Sequence, residues 1–328
     1  MRVAVSGSIA TDHLMVFPGA FREQLIPDRL DTISLSFLVD DLEVRHGGVA
    51  ANIAYGLGGL GHAPVLVGAA GSDFGEYRVR LKEHGVDTDF VHLSPDRQTA
   101  RFMCLTDSEQ NQIASFYTGA MAEARDIDLG DVVRRAGDIG VVLVCPNDPT
   151  AMLRHTDEAR RLGVPFAADP SQQLARLDRD EARQLVTGAR WLFTNEYEAS
   201  LLQERTGWSG TDILARVGLW LTTLGADGVR LEAAGEQPYT VHAAPPREIT
   251  DPTGAGDAFR AGFLAGVCWG EEPGTSARLG CAVASLALEG LGGQGYTLDR
   301  AALLQRVQDA YGPRTARSMA RHLEDPRP

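Results

Sequence analysis

A turn of small residues between two aspartates is the part of this sequence best suited to chemistry. It reads Asp251-Pro-Thr-Gly-Ala-Gly-Asp257, and apolar residues at helical spacing follow it directly. The first amides of a helix lack partners within the helix and lie at the positive end of its dipole. Gly254 and Gly256 would let an anion reach those amides with no Cβ in the way. The pattern therefore predicts a cradle for a phosphate group.

Asp257 needs a separate explanation, because a carboxylate inside an anion site repels phosphate. It is useful there if it accepts a proton from a hydroxyl group that attacks the phosphate. We therefore interpret Asp257 as a general base for phosphoryl transfer. The alternative is a tight loop in which Asp257 only stabilises the first turn of the helix.

Two further polar groups lie near the start of the chain. Gly47-Gly-Val-Ala-Ala-Asn52 places a glycine pair before a helix and a carboxamide one turn inside it, which suits the binding of hydroxyl groups. Asp12 follows the first predicted strand, where a carboxylate could accept hydrogen bonds from paired sugar hydroxyls. A glycine turn with a satisfied Asn, and a solvated loop Asp, are equally good interpretations.

Two more polar segments follow predicted strands. Asn195-Glu-Tyr-Glu198 is typical of a helix N-cap with a reciprocating Glu. Together with Asp257, however, Glu198 becomes a candidate to hold water on a magnesium ion. Thr222-Thr-Leu-Gly-Ala-Asp-Gly228 is a strand end and a turn of small residues, open to a nucleotide but equally typical of a hairpin.

Composition narrows the classes of function. The 328 residues carry a formal net charge of −13, which argues against a nucleic-acid-binding surface or an anionic membrane face, so we expect a small-molecule partner. Lys82 is the only lysine, so neither a P-loop nor a protein-kinase lysine is present. Four cysteines without a C-x-x-C pair indicate a reducing cytoplasm, and no apolar stretch approaches the ~20 residues of a membrane span.

Short β-branched segments alternate with longer helical ones along the chain. This pattern predicts an α/β fold, with a doubly wound, largely parallel sheet covered on both faces. Strands are predicted near 3–6, 64–68, 140–145, 165–168, 191–194, 219–224, 229–232 and 239–242. Helices are predicted near 49–60, 73–84, 150–162, 180–188, 196–206, 256–270, 275–290 and 298–311. The polar segments then fall at the carboxyl ends of strands, where ligands of such sheets bind.

Two regions interrupt the alternation. One includes Ile33-Ser-Leu-Ser-Phe-Leu-Val-Asp40, and the other, Thr99–Gly119, is typical of two strands around Asp107–Gln110. Because long structureless loops are uncommon in compact domains, we predict a small sheet positioned as a lid, from roughly 11–16, 33–46 and 98–119. We expect a single domain over 1–328 and partial disorder in 313–328.

Gly56-Leu-Gly-Gly-Leu-Gly61 satisfies the dinucleotide-binding pattern G-x-G-x-x-G. That fingerprint must follow a strand and open a helix, whereas here it closes a predicted helix and leads into a strand. We therefore interpret it as a helix terminus and turn.

The segments 47–52 and 251–262 resemble the two signatures of the ribokinase-like (PfkB-type) carbohydrate and nucleoside kinase family. The resemblance spans nearly the whole chain and includes Gly7-Ser-Ile-Ala-Thr-Asp12. Three further segments are most similar to adenosine kinases of the actinobacterial type: 6–13, 34–41 and 169–176. The resemblance implies a cytoplasmic kinase that uses ATP and Mg²⁺ to phosphorylate the 5′-hydroxyl of adenosine to AMP, a purine-salvage reaction.

The resemblance also implies roles for individual residues. Asp257 would be the base, and the amides of Gly254, Ala255 and Gly256 would form the anion hole. Residues expected to bind the nucleoside are Ser8, Asp12, Ser36, Gly48 and Asn52. Residues expected along the ATP are Asn195, Thr223, Gly225 and Gly228, with Glu198 holding Mg²⁺ through water.

Members of this family often bind a monovalent cation beside the anion hole, and Asp251 and Thr253 are the matching positions for a possible K⁺. A serine often found late in that loop is replaced here by Tyr296, which argues against potassium dependence. In the family the lid sheets of two subunits can pack together, so the resemblance also implies a homodimer through the lid.

The choice of adenosine depends on the predicted lid. Phe102 and Phe116 lie on either side of its turn and could sandwich a base, while Gln172 and Gln173 offer donors and acceptors for a purine edge. Alternatively, both rings pack the lid against the core or a partner subunit. Two other functions remain open: a kinase for a free sugar such as ribose or fructose, and a non-catalytic nucleoside-binding protein.

Overall fold

The structure is a computed structural model that describes residues 1–25, 31–32 and 34–323. Its strands are β1 Arg2–Ser6, β2 Ala10–Val16, β3 Asp41–Gly47, β4 Val65–Val67, β5 Ala69–Ala70, β6 His92–Leu93, β7 Ala100–Thr106, β8 Gln112–Tyr117, β9 Ile139–Val144, β10 Phe166–Ala168, β11 Trp191–Asn195, β12 Leu219–Thr223, β13 Val229–Glu232 and β14 Tyr239–Val241. Its α-helices are α1 Phe21–Gln24, α2 Val49–Gly59, α3 Gly75–Glu83, α4 Leu129–Ala136, α5 Pro149–Leu162, α6 Arg179–Val186, α7 Glu196–Thr206, α8 Gly210–Leu214, α9 Ala255–Cys268, α10 Pro273–Ala287 and α11 Arg300–Leu323.

The main sheet has eight strands in the order β14-β13-β12-β11-β10-β9-β1-β4. The strands from β12 to β4 are parallel, and β13 and β14 are antiparallel additions at one edge. The chain leaves β1 toward β4 on one side and later returns to β9 on the other. The sheet is therefore doubly wound, as predicted, and a crevice for ligands is expected beyond the carboxyl ends of these strands.

Helices cover both faces of this sheet because alternate strand residues point to opposite sides. In β9, Val141 and Leu143 join one buried cluster, with α2, α9 and α10, whereas Val142 and Val144 join a second cluster, with α5, α6 and α7. Continuous apolar strands are what burial on both faces requires. The prediction of a sheet covered by helices on both faces is therefore confirmed.

A second, four-stranded sheet stands apart from the main one, in the order β3-β2-β7-β8. β2 runs parallel to β7, and the two outer pairs are antiparallel. The strands predicted within 11–16 and 99–119 are present. The segment 34–40 is not a strand, however, and Ile33 lies outside the described residues; the strand begins only at Asp41.

The carboxyl-terminal segment corrects the prediction of disorder. Gly312 breaks α11 with a φ of 81°, and a second helical stretch begins at Pro313 and extends to Leu323, where Met319 and Leu323 are buried against the core. Proline suits the first turn of a helix because its missing N–H has no partner there. Residues 324–328 lie outside the described residues.

The G-x-G-x-x-G segment closes α2, as predicted, and does not open a helix. The sequence prediction omitted α4, although Leu129, Val132 and Ala136 recur at helical spacing behind Asp128, whose side chain accepts the N–H of Asp131 at 2.8 Å. Among the described helices, none has the length and apolar composition needed to cross a bilayer.

Candidate active site

The helix α9 begins at the small-residue turn identified in the sequence. Gly254 is its N-cap with a φ of 78°, so the chain turns there in the left-handed region that glycine favours. A Cβ on Gly254 would also collide with the Cα of Gly293 in a neighbouring loop. The Ala255 N–H donates to the carbonyl of Pro252 at 3.3 Å, but no side chain of the described residues caps α9. Gly254 and Gly256 lie in a cavity wall, where the amides of this turn can bind an anion.

Asp257 lies between two cavities. One has a volume of 580 Å³ and contains Asn195 and Thr223, at the ends of β11 and β12, and Glu198 in the first turn of α7. The other, of 460 Å³, contains Asp12 and residues of the small sheet. Both cavities include Asp257 and Gly254 in their walls. A group bound in one cavity can therefore meet a group bound in the other at this carboxylate.

The surroundings of Asp257 raise its proton affinity. Burial raises the pKa of Asp257 to about 7, although a hydrogen bond from Asn52 Nδ2 at 2.9 Å and the charge of Arg260 act in the opposite direction. Asn52 is held in turn, because its Oδ1 accepts a hydrogen bond from Gln294 Nε2 at 3.0 Å. A carboxylate with a pKa near neutrality is well matched to general-base catalysis.

A buried ion pair lies one helical turn beyond the base. The guanidinium of Arg260 contacts both carboxylate oxygens of Asp169, at 2.7 Å and 2.6 Å, and donates to the carbonyl of Gly256 at 3.0 Å. Burial raises the pKa of Asp169 to about 6 against the opposing charge of Arg260. This buried ion pair and the bond to Gly256 hold Arg260 against the first turn of α9.

The 460 Å³ cavity contains most of the residues predicted to bind a nucleoside: Ser8, Asp12, Gly48, Asn52, Phe102, Phe116, Gln172 and Gln173. Ser8 Oγ also accepts the N–H of Val49 at 3.1 Å, at the start of α2. Gly48 has a φ of 93°, and a Cβ there would lie 2.6 Å from the backbone nitrogen of Ala10. Ser36 is exposed in the irregular segment before β3 and is not among the residues of either cavity wall.

One row of residues crosses the small sheet. Arg45 lies opposite Asp12, Asp12 opposite Phe102, and Phe102 opposite Phe116, one residue on each strand. Residues paired in this way point to the same face of a sheet. Burial raises the pKa of Asp12 to about 6, with Arg45 opposing the shift. The row thus brings a carboxylate and two aromatic rings to the wall of one cavity.

In the 580 Å³ cavity, Asn195 and Glu198 form the reciprocal N-cap that their spacing predicts. Glu198 N donates to Asn195 Oδ1, and Asn195 N donates to Glu198 Oε2, both at 2.8 Å. The remaining Glu198 oxygen accepts a hydrogen bond from Ser171 Oγ at 3.0 Å and faces the same cavity as Asp169. Oxygen donors of this kind fit a magnesium ion held through water.

Thr223 and Gly225 also contribute to this cavity wall, whereas Gly228 does not. Gly228 has a φ of 100°, and a Cβ there would collide with the carbonyl of Val241, so the turn into β13 requires glycine. Ala255 is the first residue of α9 and presents its backbone beside Gly254 and Gly256. The ATP contacts of these residues remain predictions.

Sequence reasoning missed four charged residues of the site: Arg45, Asp169, Arg176 and Arg260. Arg260 could have been found, since it lies three residues after Asp257 on the same helix face. Arg176 is exposed at the wall of the 460 Å³ cavity. Arg45 pairs with Asp251 across 206 positions of sequence, and no local pattern reports such a contact.

Comparisons with known proteins agree with this geometry. Residues 11–299 match the family described as pfkB family carbohydrate kinase. The nucleoside kinase of Methanothermobacter thermautotrophicus is 31% identical over 311 residues, which cover 92% of this chain and 97% of that protein. The nucleoside kinase of Burkholderia thailandensis, solved in complex with inosine, is 35% identical with a TM-score of 0.84, over 95% of this chain and 99% of that one. It was also solved in complex with ADP-inosine, with a TM-score of 0.82, 35% identity, and coverage of 95% and 97%.

Proposed function

This chain belongs to the pfkB family of carbohydrate kinases, and we propose that it is a nucleoside kinase that transfers a phosphoryl group from ATP to the 5′-hydroxyl of adenosine. Its fold is ribokinase-like. The observation that carries the proposal is the position of Asp257 between the two cavities. A phosphoryl donor on one side and a hydroxyl acceptor on the other would then meet at a single carboxylate.

In this proposal each residue around Asp257 has a separate role in phosphoryl transfer. The acceptor hydroxyl lies in the 460 Å³ cavity and gives its proton to Asp257 as its oxygen bonds to the γ-phosphorus of ATP. The bond between that phosphorus and the bridging oxygen breaks in the same step, and ADP leaves. The amides at the start of α9 stabilise the negative charge on the transferred group. Asn52 orients the carboxylate, and Arg260 holds the first turn of α9 in place.

Magnesium would neutralise the ATP phosphates, since the chain has no lysine near them. Lys82 pairs with Asp89 at the surface, at 2.9 Å. Mg²⁺ usually keeps several waters and binds through one or two carboxylates plus substrate phosphates. Glu198 lies in the cavity wall, and among the described residues its Oε1 accepts only the Ser171 hydroxyl, so this carboxylate suits that role. The Lewis-acid contribution of the bound ion would be stabilisation of charge on the β- and γ-phosphates.

A nucleoside fits the 460 Å³ cavity better than a bare sugar does, because two aromatic rings lie in its wall. Phe102 and Phe116 are directly paired across β7 and β8, and Phe116 is 47% exposed. Stacking on aromatic faces contributes ~1–3 kcal/mol per base, which a free pentose cannot gain. The relatives named as nucleoside kinases support the same substrate class.

The choice of adenosine is supported by Gln173. Its Nε2 donates to the carbonyl of Asn147 at 2.8 Å, so its Oε1 is left as a hydrogen-bond acceptor, with no partner among the described residues. An acceptor complements the exocyclic amino group of adenine, whereas inosine has a carbonyl oxygen at that position. With this substrate we propose a purine-salvage role in the cytoplasm.

We also propose that two copies of the chain pack through their small sheets. Leu42, Val44, Ile113 and Tyr117 are 59%, 54%, 50% and 43% exposed. Their register places them on the face of that sheet opposite to Asp12 and Phe102. Apolar side chains gathered on one exposed face are typical of a protein interface, and a second copy presents the same surface. Analytical ultracentrifugation of the protein and of Val44→Glu tests this, with dissociation to monomers expected for the variant.

The function itself is tested by an acceptor panel. ADP formation would be measured with ATP, Mg²⁺ and one acceptor at a time: adenosine, inosine, guanosine, cytidine, ribose or fructose. We expect the highest kcat/KM with adenosine and no turnover in EDTA. A higher kcat/KM for ribose or fructose would favour the free-sugar kinase. Adenosine binding by calorimetry without ADP formation would favour a non-catalytic nucleoside-binding protein.

A further inference from the structure

Asp251, at the start of the anion-hole turn, accepts hydrogen bonds with both carboxylate oxygens. Its Oδ1 accepts the N–H of Thr253 at 2.9 Å, and its Oδ2 accepts the N–H of Gly292 at 2.8 Å. Arg45 Nη1 also donates to Oδ2, at 3.1 Å. The side chains of Arg45 and Asp251 are only 18% and 16% exposed, so this ion pair is largely shielded from solvent.

The loop opposite is shaped around the same arginine. Gly292 has a φ of 70°, and a Cβ there would lie 3.1 Å from Cδ of Arg45. Its neighbour Gly293 packs so closely on Gly254 and Asn52 that a Cβ on either glycine would collide. Asp251 therefore ties Arg45 to a loop that contacts both the N-cap of α9 and the side chain that orients Asp257.

These contacts do not fit a monovalent cation at Asp251 and Thr253. Such an ion would need Asp251 oxygens that already accept hydrogen bonds from Arg45, Gly292 and Thr253. Tyr296, where a serine was expected, is a buried aromatic residue rather than a small oxygen donor. The positive charge that the turn requires is already present in the guanidinium.

We propose that Arg45 is the built-in cation of the anion-hole turn, and that this protein therefore works without a monovalent metal ion. Arg45 is a positioning residue, since it acts on Gly254 and Asn52 through Asp251 and the loop 290–293. The inference rests on the proposed kinase function for its activity measurements. Its Tm measurements do not.

The position of Arg45 also links the cation to substrate binding. It lies on β3 of the small sheet, directly opposite Asp12, whose carboxylate is in the nucleoside cavity. Glu43 Oε1 and Oε2 accept its other hydrogen bonds, each at 2.6 Å. A free ion would be independent of this sheet, whereas Arg45 is part of it. The contact between Arg45 and Asp251 therefore joins the small sheet to the anion-hole turn.

The test compares the protein with Arg45→Met and Arg45→Lys in potassium, sodium and choline chloride, at a constant ionic strength of about 0.1 M. We expect kcat of the unmodified protein to agree within about twofold across the three salts. Arg45→Met should lose kcat about tenfold or more in choline and recover part of it with potassium or methylguanidinium. Arg45→Lys should retain more activity than Arg45→Met. Arg22→Met, which removes a surface partner of Glu109, is the matched control and should behave as the unmodified protein.

A second measurement does not depend on turnover. Replacing choline by potassium should leave Tm of the unmodified protein unchanged and raise Tm of Arg45→Met, because only the variant has an unneutralised Asp251. Activation of the unmodified protein several-fold by potassium, or full activity of Arg45→Met in choline, would overturn the proposal. If the unmodified protein phosphorylates no acceptor in any salt, the kinase function fails, and the Tm comparison still decides the role of Arg45.

Discussion

Asn52 donates a hydrogen bond from Nδ2 to Oδ2 of Asp257, at 2.9 Å. The sequence predicted Asn52 as a ligand of sugar hydroxyls, and its place in the cavity wall is compatible with that role. Its direct partner in the structure is nevertheless the catalytic candidate itself. Because Gln294 Nε2 donates to Asn52 Oδ1, the carboxamide is oriented with its donor toward the carboxylate. The bond favours the charged form of Asp257 and lowers its pKa against the effect of burial.

Replacing Asn52 by Leu should therefore move the pH dependence of activity. The unmodified protein should gain kcat/KM as pH rises through about 7, because Asp257 must lose its proton to act as a base. Without the hydrogen bond the pKa of Asp257 rises, so the acid limb should shift to higher pH. Gln294→Leu removes only the hydrogen bond that orients Asn52, so it should shift the acid limb less. An acid limb that stays in place in Asn52→Leu would show that this bond does not control the base.

Asp257→Asn should reduce kcat by about 10²-fold or more, the usual cost of removing a general base, with little change in substrate affinity. The acid limb assigned to Asp257 should disappear in the same variant, leaving only weaker effects of Asp12 and Asp169, whose pKa values are each about 6. Single-turnover kinetics measures the loss of the chemical step, and calorimetry measures the affinity for the substrate. A near-normal kcat in Asp257→Asn would mean that Asp257 has only a structural role, in the first turn of α9.

The same substitution should stabilise the protein above neutral pH. The pKa of Asp257 is about 7 in the folded state, against 3.8 as its ordinary value, so folded protein binds this proton more tightly. The free energy of unfolding should consequently fall as pH rises from about 4 to 7. Asp257→Asn removes that loss, and its Tm at pH 8 should exceed that of the unmodified protein by at least about 2 °C, the shift expected for ~1 kcal/mol in a chain of this size. An equal or lower Tm at pH 8 would contradict the raised pKa of this buried carboxylate.

Glu198→Gln separates metal binding from helix capping. Gln can still accept the Asn195 N–H through its carbonyl oxygen, so we expect the cap to persist and Tm to change little. Loss of the charge should raise the Mg²⁺ concentration needed for half-maximal activity. Glu181→Gln is a matched control, because Glu181 completes an equivalent capping box on α6, away from both cavities. Lower stability with an unchanged Mg²⁺ requirement would leave capping as the only role of Glu198.

Phe102→Ala and Phe116→Ala should each raise KM for adenosine roughly tenfold, a loss near 1.4 kcal/mol, and leave any turnover of ribose unchanged. Tyr239→Ala is the control, since Tyr239 is a half-exposed aromatic residue on β14 that lies in neither cavity wall. Steady-state kinetics with both acceptors gives the comparison. Equal losses for ribose and adenosine would mean that the rings only pack the small sheet.

The sequence alone determined the features that depend on local spacing. Alternating β-branched and helical segments were enough for the doubly wound sheet, since each strand must be apolar on both faces. The small-residue turn at 251–257 located the start of α9 because only glycine accommodates the backbone there. Asn195 and Glu198 form their reciprocal cap because the interaction spans a single helical turn.

The tertiary structure decided the contacts between distant segments. The sequence could not show that Arg45 reaches Asp251, that Asn52 contacts Asp257, or that Arg260 pairs with Asp169, because these pairs meet only after the sheets and α9 have packed. The pKa of Asp257 has the same origin, since burial is a property of the packed site rather than of neighbouring residues. Helix formation at 313–323 was missed for a related reason. Its polar sequence gives little local signal, and the burial of Met319 and Leu323 against the core supplies the stabilisation.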